Sequence, residues 1–357
     1  MRKGFVVAVA LFLACFAQAD DLLGEEPVWS HKVPGKVVSV DVQGELILVG
    51  GENGVYSLDN NGILVGFYPT NAAVTSLRRY DGILAAASDG SLTKLDLSGN
   101  LLWERQLPGY IGYDDAVDSS EKGILCGSMD GFIYMLSDDG TFRWKHLVGS
   151  YVTNVRLLND TAVAVSDRQV YILDLEGRVR RNLNIIGYIR SADVSDDTIV
   201  VGMDDGDVRA YGLNGELYWR MNTSSHVSAI TARGNVTVGT RDGRVIRLGR
   251  DGTLLWSRNA TAGVAAIEDS DGALVVATLD NAVTAYTSSG TPQMTFKADG
   301  RMYALASDGQ RLIAGTTTGA VNYYKLPQSD RGSSFITSAA VVVVLGGALI
   351  LIVRGWR

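Results

Sequence analysis

The chain is poor in the residues that usually carry chemistry. Three of its 357 residues are histidine, His31, His146 and His226, and no two are close in sequence. That leaves no zinc-ligand spacing. Only two cysteines occur. Cys15 falls in a stretch that reads as a removable leader, so Cys126 stands alone in the mature chain and an intramolecular disulfide is excluded. Cys126 sits in the apolar run Gly123-Ile-Leu-Cys-Gly127 and reads as a small core residue. No cluster of lysine and arginine stands out. The net charge is −7, and with Arg2, Lys3, Arg354 and Arg357 set aside, residues 20–353 carry −11. Nucleic-acid binding rests on neutralising phosphates, so that class is excluded. A glycine-rich phosphate loop, a nucleophile elbow and an HExxH motif are all missing.

What the chain has is a repeat. Gly54, Gly90, Gly131, Gln169, Gly206, Gly243, Asn281 and Gly319 are spaced by 36, 41, 38, 37, 37, 38 and 38 residues. A period near forty, built of short strands and tight turns, predicts a propeller with one four-stranded blade per repeat. The fifth copy is clearest. Thr198-Ile-Val-Val-Gly202 is an apolar, β-branched run. Asp205-Gly206 then reads as a type I′ hairpin pair. Val208–Tyr211, the turn Asn214-Gly215 and Glu216–Trp219 complete the blade after a first strand at Tyr188–Val194.

The eighth copy stops after three strands, at Leu326-Pro327. The missing strand lies at the other end, in Pro27–Val33, where Trp29 occupies the position of Trp103, Trp144, Trp219 and Trp256. The same position holds Gly66, Arg181 and Met294 in the other copies, with Phe67 a substitute beside Gly66. The expectation is an all-β, eight-bladed ring over residues 20–327, closed by its N-terminal strand so that no open edge remains. Each tryptophan, if buried, contributes on the order of 4–6 kcal/mol of gross burial between blades.

Both ends carry membrane signals. Residues 1–19 read as a secretory signal: Arg2 and Lys3, an apolar stretch from Phe5 to Cys15, then Ala17-Gln-Ala19. Leu13-Ala14-Cys15 is close to a lipobox, which leaves a lipoprotein alternative. Phe335 to Val353 is nineteen residues without a charge, after a polar linker at 328–334. As a helix it spans about 28 Å, close to a hydrocarbon core of about 30 Å. Arg354 and Arg357 place the tail, 354–357, on the cytoplasmic side. The expected localisation is a single-pass cell-membrane protein with its propeller outside. Four sequons, at Asn159, Asn222, Asn235 and Asn259, are then possible glycosylation sites at the cell surface.

Candidate binding residues are few. Carboxylates cluster at Asp114-Asp115 with Asp118, Asp193 with Asp196-Asp197, Asp204-Asp205 with Asp207, and Glu268-Asp-Ser-Asp271. Their oxygens suit calcium, but none has EF-hand spacing, and most fall where strands turn into solvent. The third copy carries extra length, Gly109-Tyr-Ile-Gly-Tyr-Asp-Asp115, so Tyr110 and Tyr113 are placed to meet a ligand or to pack in the core.

The repeats resemble the PQQ-like, or quinoprotein alcohol dehydrogenase-like, propeller superfamily. Its turn glycine four residues before a docking tryptophan is matched by Gly99–Trp103, Gly140–Trp144, Gly215–Trp219 and Gly252–Trp256. WD40 repeats are less similar, since their Gly-His and Trp-Asp pairs are missing. The resemblance implies the fold across most of 26–327. It also implies PQQ held beneath a disulfide of adjacent cysteines, which Cys126 alone cannot form. The similar BamB-like branch scaffolds outer-membrane protein assembly as a lipoprotein; this chain departs in its C-terminal apolar segment and poor lipobox. The reading is therefore a noncatalytic, membrane-anchored propeller that binds protein or glycan partners. No cofactor is expected, though calcium stays open. The alternatives are a PQQ- or calcium-dependent (or polysaccharide-acting) enzyme and a BamB-like assembly factor.

Overall fold

The computed structural model describes residues 26–195, 197–270 and 273–327, with two short strands further on, Val343–Leu345 and Ala348–Ile350. Residues 26–327 build eight four-stranded antiparallel sheets. Seven blades are continuous in sequence, from Val37–Gln43 as the first strand of blade 1 to Pro292–Lys297 as the last of blade 7. Blade 8 takes Met302–Ser307, Arg311–Thr316 and Ala320–Lys325 and borrows Trp29–Lys32, which pairs antiparallel with Ala320–Lys325. The first strand of each blade touches the first strands of its neighbours, and Met302–Ser307 touches Val37–Gln43, so the ring closes. Fourth strands are outermost, and their side chains are mostly exposed.

The physical origin is visible in each blade. Second strands, such as Thr161–Ser166 and Ile83–Ala87, are buried throughout and carry apolar runs rather than alternation. Apolar clusters then form between consecutive blades, as Val163, Val165 and Val170 do with Ile199 and Val201. Cys126 lies in such a seam, fully buried, and burial pushes its thiol up.

The turns differ from expectation at Asp205-Gly206. A type I′ turn needs positive φ at both residues. Gly206 has φ 83°, but outside glycine only Asp81, Ser224 and Asn281 are positive among the described residues. Instead Gly206 N–H donates to Met203 O, and the Asp205 carboxylate accepts from Asp207 N–H at 3.0 Å. The aspartate favours this arrangement because its side chain satisfies the backbone beyond the turn.

Five seams are bridged by a tryptophan. Trp29, Trp103, Trp144, Trp219 and Trp256 each donate Nε1–H to a carbonyl in the next blade's outer turn: Asn60, Asp138, Leu175, Arg250 and Ser288, at 2.7–2.9 Å. Each ring lies over the glycine of that turn; a Cβ on Gly140 would come within 2.9 Å of Trp103. Of the five, Trp256 alone is buried and the other four are half-buried, so their burial contributes less than a full ring would. Arg181 takes the tryptophan's place in blade 4 and donates Nε–H to Asn214 O at 3.1 Å. Phe67 does not substitute for the tryptophan missing at Gly66. Its ring packs at a tilt against Tyr56 of its own blade, centroids 4.8 Å apart, because adjacent strand residues face opposite sides.

The signal segment 1–19, Cys15, the linker 328–334 and the tail 354–357 lie outside the described residues. So does most of the expected transmembrane helix 335–353. Within it, Val343–Leu345 and Ala348–Ile350 are extended and pair with each other. Among the described residues no helix is long and apolar enough to cross a membrane.

Candidate functional site

Two places concentrate functional side chains. The first is the central channel. Register aligns Asp41, Arg78, Asp118, Arg156, Asp193, Thr231, Glu268 and Ala306 at one level of the inner strands, as in the pairings Arg78↔Leu84 and Asp193↔Val200. Five consecutive blades thus alternate acid and base. Arg156 lies 3.1 Å from Asp193 and 4.0 Å from Asp118. Arg78 reaches Asp114 at 3.2 Å and Asp115 at 3.4 Å. Burial opposes the charge on Arg78, but Asp114, Asp115, Asp118 and Asp41 together raise its pKa.

The carboxylates also pin backbone. Asp118 Oδ2 accepts from Leu157 N–H at 2.7 Å, one blade on, and Asp193 Oδ2 accepts from Ala232 N–H at 2.8 Å. The extra length before blade 3 folds inward to complete the ring. Ser76 donates to Asp114 O at 2.7 Å and Thr75 to Ile111 O at 2.9 Å. Asp114 is half exposed to the channel yet enclosed by protein. That enclosure pushes its carboxyl up to about 6, with Arg78 pulling down and Asp115 pushing up. Enclosure likewise pushes Glu268 up to about 7, against Arg233 and the Ser270 hydroxyl and with help from Asp115 and Asp193.

The four acidic clusters therefore divide. Asp114, Asp115, Asp118, Asp193 and Glu268 lie on the inner side of the ring, at or beside the level of the inner-strand charges. Asp207 is fully buried between Arg209 and Arg220, at 2.7 and 2.6 Å, and Asp269 pairs with Arg247. These are arginine-paired pins rather than solvated turns, because a buried carboxylate needs a cation or N–H partners. Asp204 stays at the surface with Arg190 and His226. Asp196 and Asp271 lie outside the described residues. Among the described residues no three His, Cys, Asp or Glu side chains converge to hold a metal ion. His31 and His146 are half-buried on outer strands, His146 against Tyr171 at 5.5 Å.

The second place is the face where the chain crosses from one blade to the next. Tyr110 is 65% exposed, and Tyr113 stacks on Tyr151 with ring centroids 6.3 Å apart. Ile186, 87% exposed, and Tyr188 follow on the next crossover, with Arg168 4.1 Å over the Tyr188 ring. Arg190 is the extra residue of a β-bulge between Ile189 and Ser191, which aims it towards Tyr188 and Asp204. Further round the same face, His226, Arg241, Leu279, Arg301 and Tyr303 line a cavity of about 420 Å³. Tyr110 and Tyr113 were legible in the sequence; Tyr151, Ile186 and Tyr188 were not. Asn159, Asn222 and Asn259 are exposed and Asn235 is half-buried, so at least three sequons are sterically open.

A family model described as outer membrane protein assembly factor BamB matches residues 19–192 and 204–351. A λ-carrageenase of Pseudoalteromonas sp is 22% identical over 134 residues, which is 33% of this chain; the chain spans only 14% of that enzyme's length. BamB from Moraxella catarrhalis superposes with a TM-score of 0.70 at 16% identity, over 84% of this chain and 99% of that one. Sqt1 from Chaetomium thermophilum, solved bound to the N-terminus of ribosomal protein L10, gives 0.72 at 14% identity, over 85% and 100%. At these identities the two structures speak for the fold.

Proposed function

The chain belongs to the BamB family of outer membrane protein assembly factors, and from that premise we propose that it is a noncatalytic scaffold that holds a protein partner outside the membrane. The observation that carries this reading is the crossover-face patch of Tyr110, Tyr113, Tyr151, Ile186 and Tyr188 beside Arg168 and Arg190. Tyrosine and arginine are the residues that dominate protein-binding surfaces, whereas scattered exposed aliphatics need no explanation. Sqt1, on a similar fold, is bound to a protein N-terminus.

Glycans are the second partner class this surface would take, since exposed tyrosine rings also stack on sugars. The uncharged run 335–353 serves as the tether. In lipid it must become helical, because a two-stranded hairpin leaves edge backbone groups unpaired. The propeller then lies outside the cell, where exposed sequons such as Asn159 meet glycosylation machinery.

The test is a pair of substitutions, Ile186→Glu and Tyr188→Glu. Both abolish partner retention on the purified full-length chain and leave its melting temperature unchanged. Retention by both variants refutes the patch as the docking surface. An acid–base enzyme is the competing reading, and the raised Asp114 and Glu268 carboxyls favour it. Turnover of a polysaccharide that disappears in Glu268→Gln would select it.

A further inference from the structure

Of the eight seams of the ring, six are bridged in one way; between blades 7 and 8 the buried Met294 holds the bridging position, and between blades 1 and 2 no side chain does. Five tryptophans and Arg181 each cross to the next blade, cover a turn glycine and donate to a turn carbonyl. Between blades 1 and 2 the bridging residue is Gly66. Its partner glycine is Gly99, with φ 85° like the others, yet no described atom comes within 4 Å of where its Cβ would stand. A Cβ on Gly66 would meet only ordinary contacts, Ser57 at 3.5 Å and Ser98 O at 3.7 Å. The slot is thus shaped like its neighbours but lacks the side chain that fills them. Phe67 points the other way, onto Tyr56.

The rim of the slot is apolar and acidic. Leu64, on the strand that carries Gly66, and Leu97, in the Gly99 turn, are each about half exposed, and on the blade 3 side Leu97 and Asp96 also line a cavity with Leu102, Arg79 and Lys94. Asp96 shares the Gly99 turn, and Glu104 faces Tyr68 across the seam. The Leu97 carbonyl holds the place of Asn60, Asp138 and Leu175, the acceptors that take an indole N–H elsewhere.

We infer that the seam between blades 1 and 2 is a binding slot for a tryptophan side chain presented by a cationic segment of a partner polypeptide. The indole would lie over Gly99 and donate to the Leu97 or Ser98 carbonyl, as five indoles of this chain do in other seams. Charge complementarity with Asp96 and Glu104, on a propeller of net negative charge, sets the sign of the partner. The slot opens on the rim opposite the crossover face, so its failure and the failure of the docking patch are separate results.

Tryptamine and indole-3-acetate, which share the ring and differ in charge, test this on the full-length chain by backbone amide resonances. Tryptamine shifts Leu97, Ser98 and Gly99 and leaves the filled-seam glycines Gly140 and Gly177 unmoved. Indole-3-acetate binds the same place about threefold or more weaker at low salt. Gly66→Trp fills the slot from within, abolishes the shifts, and raises the melting temperature by roughly a few degrees. Shifts that are absent, equal at filled seams, indifferent to ligand charge or unchanged in Gly66→Trp overturn the proposal. A Gly66→Trp chain that melts lower than the parent overturns it too, because the slot then does not accept an indole.

Discussion

Trp29 donates its indole N–H to the Asn60 carbonyl at 2.9 Å, and its ring covers Gly62. Trp29 belongs to blade 8 by pairing, Trp29↔Tyr323, and Asn60 to blade 1. The contact therefore joins the last blade to the first through the N-terminal strand. Trp29→Ala should cost about 2–3 kcal/mol, from a half-buried ring and a lost hydrogen bond. Deleting residues 20–34 should lower the melting temperature of the whole propeller in a single transition. A truncated chain melting with the parent would show that closure carries no stability.

Gly140 and Gly99 separate space from backbone strain. Both have positive φ, 76° and 85°, but only Gly140 lies under a tryptophan. Alanine at Gly99 should cost about 1 kcal/mol for the left-handed conformation alone. Alanine at Gly140 should cost roughly 1–3 kcal/mol more, since its Cβ displaces Trp103. Equal losses in chemical denaturation would mean that the ring contact is worth little.

Asp193 serves Arg156 and Ala232 N–H together, and is nearly buried. Asp193→Ala strands both partners and should cost about 3–5 kcal/mol. Asp193→Asn keeps an acceptor and should cost less. Urea unfolding measures both, and an alanine variant within about 0.5 kcal/mol of the parent would remove the channel ring from the list of stabilising features.

Glu268 makes stability depend on pH. Its folded value of about 7 stands above the ordinary 4.5, so the native state holds the proton more tightly than the unfolded chain. The stability this provides is complete below pH 4.5 and is lost as pH rises to about 7. Glu268→Gln does not ionise and escapes that loss. Relative to the parent it should gain on the order of 2 kcal/mol between pH 5 and pH 8. Parallel stability curves for the two chains across that range would contradict the assignment.

Much of the ring could be read from the sequence, because turn glycines and tryptophans recur with the blade and mark its outer edge. The closing strand followed from one residue, Trp29, in register with the others. The inner strands were opaque for a physical reason. Asp41, Arg78, Asp118, Arg156 and Asp193 alternate in charge between blades, so no one residue type repeats at that position and each looks like an isolated surface charge. Spacing counted from the first-strand valines, such as Val74 to Arg78 and Val152 to Arg156, holds the signal. Arg181 was similarly hidden, since a guanidinium doing an indole's work shares its donor geometry and not its letter. The crossover-face patch was half visible. Tyr110 and Tyr113 stood out by the added length of their loop, whereas Ile186 and Tyr188 come from a crossover of ordinary length and meet them only in space.

The central claim is that this propeller acts by holding a protein on its crossover face. A photo-crosslinking residue at position 188, in the full-length chain in its own membrane, tests it most directly against the same residue at position 251 on the opposite face. The account predicts one discrete protein adduct at 188, lost in Ile186→Glu, and none at 251. No adduct at 188, or the same adducts at both positions, would contradict it.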